Sequence, residues 1–373
     1  MSFFKAALLL VLALISFRSI SQQTVFESGK EGYTCYRIPA ILEANKTLVA
    51  FAEGRRNGCS DFGDVDIVMK TSTDEGKTWS ELKLLVNNET IQAGNPAPVF
   101  DASDPGYPNG RLFLFYNTGT ASEHDIVYGT GVRETWFITS EDLGVSWSQP
   151  QNITLQVHKP HEPDYDPDYH FKEDWRHHAL TPGHAIQLEN GRIYIPINIS
   201  IGEPQNGKIP YRAGVFYSDD HGKSFKLAKI LKSKGSNEST AVQLSNGAVI
   251  LNARDQTEKT GKRYTARSTD NGQSWDSEEV DTYLTDPVCQ GSLHIIRRKK
   301  KDLVLLSQVF HPHKRENLSL HLSTDGARTW EKTITIDKGS SAYSDLVVLS
   351  KNKVGVLYEK DEYSKIVFTQ IRI

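Results

Sequence analysis

Cysteine is scarce: Cys35, Cys59 and Cys289 are the only three in 373 residues. Their spacing offers neither a zinc pattern nor a disulfide framework, so buried free thiols are the expected state. Charge of one sign is lacking too, since 43 basic against 46 acidic residues leave a net charge of −3. Such a field is too weak to draw a polyanion. Nucleic acid is therefore not an expected partner, and any anion site must be built locally from a few arginines. Helical periodicity is weak, and Gly and Pro are spread evenly enough that no linker divides the chain. Phosphate-cradling loops, nucleotide fingerprints and a Ser-His-Asp constellation are all missing.

The one pronounced apolar run, Ala6 to Phe17, follows Lys5 and gives way to polar residues at Ser19 to Gln23. It is short for a bilayer span. The pattern predicts a cleaved signal peptide over residues 1–22. The expected product, residues 23–373, is a single exported domain, secreted or periplasmic, with no stable membrane anchor. Six N-x-S/T triplets start at Asn45, Asn88, Asn152, Asn198, Asn237 and Asn317, a number that chance readily supplies.

A short motif, S-x-D-x-G-x-[ST]-W, recurs five times with variations, starting at Ser72, Ser140, Ser218, Ser268 and Ser323. Phe225 replaces the Trp of the third copy, and Ala327 the Gly of the fifth. Asp and Gly suit a tight turn, where the carboxylate can cap the turn's amides and the aromatic can pack into the sheet below. Each copy follows an alternating strand pattern, as in Asp66-Ile67-Val68-Met69-Lys70. The expected fold is all-β: a six-bladed β-propeller of four-stranded antiparallel sheets, the last blade closed by strands from both ends of the chain.

Between the copies lie Tyr36-Arg37-Ile38-Pro39, Ala50-Phe51-Ala52-Glu53-Gly54-Arg55, Ser60-Asp61-Phe62-Gly63-Asp64, Ser236-Asn237-Glu238-Ser239, Asn252-Ala253-Arg254, Ala342-Tyr343-Ser344-Asp345 and Tyr358-Glu359. In order and content these segments resemble the microbial sialidases, and the repeats resemble that family's Asp boxes. The resemblance runs from about Tyr36 to Glu359. It implies an exo-α-sialidase acting on sialylated glycans without cofactor or metal, as a monomer; the alternatives are a trans-sialidase, an anhydro-sialidase or a variant preferring the deaminated sugar, and a noncatalytic sialoglycan-binding propeller.

The chemistry fits those residue types. Sialic acid carries a carboxylate on its anomeric carbon, which a planar and permanently charged guanidinium recognises well. The resemblance assigns that clamp to Arg37, Arg254 and Arg315, with Glu359 compensating the first. A second carboxylate attacking so anionic a centre would be repelled, whereas a neutral phenol with a nearby base would not. The resemblance gives Tyr343 as nucleophile, Glu238 as the acid that activates it, and Asp61 as acid/base, with Asp64 and Asp66 as rivals for the last role. Arg55 is implied as a further substrate arginine, with Arg56 its alternative, and Asn95 as part of the N-acyl pocket. Thr181-Pro182-Gly183-His184-Ala185 stands where the family has a loop near the pocket. The stretch from His158 to Tyr165, rich in His and Asp but without regular ligand spacing, is expected to be a polar surface loop.

Overall fold

The computed structural model describes residues 22–159, 174–257, 259–299 and 301–373. The expected signal peptide and most of the expected surface loop after His158 lie outside these residues. His158 itself is not a surface residue, being 1% exposed beneath Trp175 and His178.

Strands dominate, in chain order β1 (Gln22–Glu27), β2 (Cys35–Ala44), β3 (Thr47–Arg55), β4 (Val65–Ser72), β5 (Lys83–Val86), β6 (Gln92–Asp101), β7 (Arg111–Gly119), β8 (Arg133–Ser140), β9 (Gln151–Asn152), β10 (Trp175–Leu180), β11 (Ile186–Gln187) and β12 (Ile193–Ile201). There follow β13 (Tyr211–Ser218), β14 (Lys226–Leu227), β15 (Ser236–Gln243), β16 (Val249–Asp255), β17 (Lys262–Ser268), β18 (Ser277–Thr285), β19 (Ser292–Ile296), β20 (Leu303–Val309), β21 (Glu316–Ser323), β22 (Lys332–Ser350), β23 (Lys353–Lys360) and β24 (Lys365–Arg372). Two short helices, α1 (Glu123–Val127) and α2 (Thr154–Val157), sit in connections.

Sequential strands pair antiparallel, as short connections dictate. They form one sheet from β2 to β9, a second from β10 to β14, a third from β15 to β18, and a fourth in which β19 to β24 end on β1. The long β22 pairs with β21 through its first half and with β23 through its second. Side by side, β2 touches β6 and β22, β6 touches β10, β12 touches β15, and β15 and β22 both touch β19, which closes a ring. Strands near the middle of the ring are buried on both faces and so read as continuous apolar runs, as in the Ala-Phe-Ala stretch of β3, next to the innermost β2. Between neighbouring sheets the core is apolar and aromatic; Phe113, Phe115 and Phe137 interlock with Phe216 and Phe225.

The five repeated motifs are the turns that leave β4, β8, β13, β17 and β21. In the first, Asp74 Oδ1 accepts the amides of Lys77 and Thr78 at 3.0 Å, and Ser72 Oγ accepts the Gly76 amide at 2.8 Å. The fourth and fifth residues of each motif take positive φ, which Ala327 does at 59° in place of glycine. In the fourth motif Gly272 is at φ 77°, and a Cβ there would lie 2.4 Å from the fully buried Tyr194 ring. A Gly272→Ala protein is therefore expected to lose roughly 2–4 kcal/mol, from left-handed strain and overpacking together. A urea midpoint within 0.5 M of wild type, at unchanged slope, would contradict this.

The cysteines correct the sequence expectation. Cys35 and Cys59 form a disulfide, and Cys289 alone remains a buried thiol. Residues 56–64 fold back over the β2–β3 hairpin, carrying Cys59 to the start of β2, a return that linear spacing does not display.

Candidate functional site

A cavity of about 360 Å³ opens at one end of the ring. Its residues arrive by a shared device. Five inner strands each carry one extra residue against their partner, between Arg37 and Ala40 in β2, Gly94 and Ala97 in β6, Trp175 and His178 in β10, Ser236 and Ser239 in β15, and Ser341 and Ser344 in β22. A bulge kinks the strand and re-aims a side chain. The residues so turned, Ile38, Asn95, His177, Glu238 and Tyr343, all line the cavity.

Tyr343 stands at the centre, 6% exposed. Its hydroxyl donates to Glu238 Oε1 at 2.8 Å and accepts from Arg254 Nη1 at 2.9 Å. The same Arg254 nitrogen lies 2.7 Å from Glu238 Oε2. Burial pushes the phenol well above its ordinary value, with Arg254 pulling the other way. Burial also raises the Glu238 carboxyl, against the pull of Arg254 and the phenol. The phenol thus keeps its proton and donates it toward Glu238, with the Arg254 guanidinium against both.

Arg37 donates to Glu359 through Nε at 2.9 Å and Nη2 at 3.1 Å. Burial opposes its charge, but Glu359 outweighs burial and holds the guanidinium well above its ordinary range. Glu359, 1% exposed, also accepts the amides of Ile38 at 2.9 Å and Tyr343 at 3.0 Å. Arg315 lies over the Tyr343 ring at 5.4 Å and donates to the Val288 carbonyl at 2.9 Å. Among the described residues no carboxylate pairs with Arg315, which leaves its charge available to a ligand. Arg37, Arg254 and Arg315 therefore converge around Tyr343.

Two of these anchors are strained. Ile38 and Val288 are the β-branched residues at positive φ among the described residues, both at 57°. That conformation costs a β-branched residue of order 1–3 kcal/mol. The Ile38 amide feeds Glu359, and the Val288 carbonyl receives Arg315 at 2.9 Å and Arg254 at 3.5 Å.

Asp61 stands at the mouth, its side chain 82% exposed, 2.8 Å from Arg55 Nη1 and 3.3 Å from Arg37 Nη1. Partial burial works to raise its carboxyl, but Arg55 and Arg37 outweigh this and hold it below the usual carboxylate range. Arg55 is fixed by Glu53 at 2.6 Å, and Glu53 also accepts the Asn95 amide at 2.8 Å. Asp64 and Asp66 pair instead with Arg56, away from the cavity, which removes Arg56 and both rival acids from the site.

Thr181 to Ala185 does not reach this cavity. Its His184 and Ala185 line a different one, of about 430 Å³, beside Ile41 and His294. The strand before it, β10, supplies His177 and Ala179 to the site.

Several site residues escape sequence reasoning. Tyr363 stacks on Arg37 at 4.2 Å and accepts from Arg315 at 3.1 Å, from a turn whose three residues all have positive φ. Glu123 of α1, Arg133 of β8 and His177 of β10 also line the cavity. None sits in a motif. The buried Asn198 and Asn237 also line the cavity, which closes two of the six N-x-S/T triplets to modification in the folded chain.

Known proteins resemble this chain over most of its length. The profile of the BNR repeat-like domain matches residues 46–356. A sialidase of Micromonospora viridifaciens is 30% identical over 91% of this chain and 52% of its own length. A sialidase of Bacteroides fragilis is 28% identical over 90% of this chain and 62% of its own. The chain thus spans between half and two-thirds of those relatives. Among solved structures, the Hadza microbial sialidase Hz136 superposes with a TM-score of 0.80 at 25% identity, covering 94% of this chain and 68% of that one. The fold is a β-propeller.

Proposed function

Because the chain belongs to the BNR repeat-like domain family, a glycoside-hydrolase reading of the site has a firm premise, and we propose that the protein is an exo-α-sialidase. It removes terminal sialic acid from glycoproteins, glycolipids and oligosaccharides with retention of configuration. The observation that carries this reading is the triangle of Tyr343, Glu238 and Arg254, with Arg315 beside it, paired with no carboxylate among the described residues.

In this reading the substrate carboxylate binds Arg37, Arg254 and Arg315 through paired, charge-assisted hydrogen bonds. Tyr343 Oη attacks the anomeric carbon while its proton passes to Glu238. The bond to the leaving oxygen breaks, and that oxygen takes the proton of Asp61. Water then attacks the tyrosyl-linked carbon, giving a proton to Asp61 as the phenolate leaves and recovers its own from Glu238. Two inversions return the α-anomer. Arg55 and Glu53 orient Asp61, and Asn95 borders the ring. No step calls for a cofactor or a metal. The fold reading that goes with this is six four-stranded blades, in a monomer exported after loss of residues 1–22.

The test is release of a fluorescent phenol from its α-sialoside, with NMR of the first product. Early α-sialic acid supports the reading. An anhydro sugar, a transfer product alone, or no turnover contradicts it.

A pH split follows from Asp61. In the free site two guanidiniums depress its carboxyl, so the protonated acid is lost early as pH rises. A bound carboxylate takes Arg37 and Arg315 for itself and adds negative charge, which raises the Asp61 pKa. The descending limb of kcat, which reports the complex, is expected at higher pH than that of kcat/KM, which reports the free enzyme. Coincident limbs would show that Asp61 is not the group titrating.

A further inference from the structure

Asp61 rides on a segment with little of its own to hold it. Between Arg55, the last residue of β3, and Val65, the first of β4, residues 57–63 make no backbone–backbone hydrogen bond among the described residues. A Cβ built on Gly58 or Gly63 would meet nothing within 4 Å, so packing does not fix the segment at those points either. Its fastenings to the rest of the chain converge on two residues. Cys59 carries the bridge to Cys35 and accepts Arg55 Nη1 on its carbonyl at 2.6 Å. Asp61 meets Arg55 and Arg37 through its carboxylate, at 2.8 and 3.3 Å, and accepts Gln92 on its carbonyl at 2.9 Å.

These fastenings differ in what protonation does to them. On the sialidase reading, on which this inference rests, Asp61 carries a proton when the leaving oxygen departs, and the substrate carboxylate by then engages Arg37. A neutral carboxyl has no charge to offer Arg55, so both ion pairs fade in the state that catalyses. The bridge does not depend on charge. Its other end is firmly seated: Cys35 is fully buried in β2, is the Cα partner of Arg55, and lies two residues before Arg37. We propose that the Cys35–Cys59 disulfide is a positioning element for catalysis, holding the protonated Asp61 within reach of the leaving oxygen. A misplacement of about 1 Å at such a group can cost ~10²-fold in rate.

The experiment compares leaving groups, because an acidic phenol departs without help while a sugar alcohol needs the proton. Cys59→Ser, Asp61→Ala and the double variant are assayed beside the wild type on a nitrophenyl α-sialoside and on sialyllactose. The readout is kcat/KM, which reports the first bond cleavage. Cys59→Ser is expected to stay within ~3-fold of the wild type on the nitrophenyl sugar, which also shows that it has folded, and to lose at least ~10-fold on sialyllactose. On sialyllactose it should add less than ~3-fold to the loss in Asp61→Ala, since both act through one group. Cys59 is exposed, so a dithiol that opens the bridge to two thiols in the folded wild type, becoming a cyclic disulfide itself, is a second route to the same split. Equal losses on the two substrates by both routes would mean that the bridge supports the fold rather than Asp61. No loss on either would mean that Arg55 and Gln92 suffice. Each result overturns the proposal, as would three titratable thiols in a fully active wild type, where the bridge leaves Cys289 alone. A wild type that hydrolyses neither sugar overturns the sialidase reading, and this inference with it.

Discussion

A Tyr343→Phe protein is expected to hydrolyse an aryl α-sialoside at least ~10³-fold more slowly than the wild type while still binding sialic acid within a few-fold. The substitution deletes one oxygen. The ring keeps its packing against Ile38, Cys289, Val309 and Ala342, and its place beneath Arg37 and Arg315. Arg254 keeps its contact with Glu238 at 2.7 Å, so the clamp loses no charge. What disappears is the only atom in the triangle that can form a bond to carbon and pass its proton to a carboxylate in the same step. Burst kinetics and titration calorimetry read the two halves separately. Wild-type turnover would remove Tyr343 as nucleophile, and a collapse of binding would recast it as part of the clamp.

The second large effect belongs to Glu359. One buried carboxylate accepts four hydrogen bonds, two from Arg37 and one each from the amides of Ile38 and Tyr343. A Glu359→Ala protein leaves those donors without an acceptor in a dry interior, keeping only the 3.3 Å contact of Arg37 with the exposed Asp61. Breaking one side of a buried ion pair typically costs 3–5 kcal/mol. The expected outcome is a loss of roughly that size in denaturant unfolding, together with a rise in KM as Arg37 loses its aim. A stability change below about 1 kcal/mol would mean that the pair is far better solvated than its burial indicates.

Much of this site is legible in the chain because bulges place it. Ile38-Pro39, Asn95-Pro96 and Asn237-Glu238 each interrupt a strand near its start, and Ala342-Tyr343 interrupts the long β22 past its middle. Local sequence therefore marks both the strand and the residue that leaves its pattern. The clamp arginines are readable through the resemblance, which places Arg37, Arg254 and Arg315 at the family's landmarks. Glu123 and Arg133 carry no such mark. One belongs to a helix of five residues and the other opens an ordinary strand, and only the curvature of the sheets sets them against His177. Tyr363 is hidden in a tight turn, and the Cys35–Cys59 bridge in a fold-back of the chain.

The pairing of β1 with β24 carries a consequence for the protein's birth. Arg37 leaves the ribosome 322 residues ahead of its partner Glu359, and further still ahead of β24, the strand that closes the ring. At ordinary elongation speeds that interval is on the order of half a minute. Throughout it the growing chain has neither a finished clamp nor a placed Tyr343, so the site is completed only once β23 has emerged. A chain stalled before β23 has no finished site, whatever fraction of its sheets has already formed.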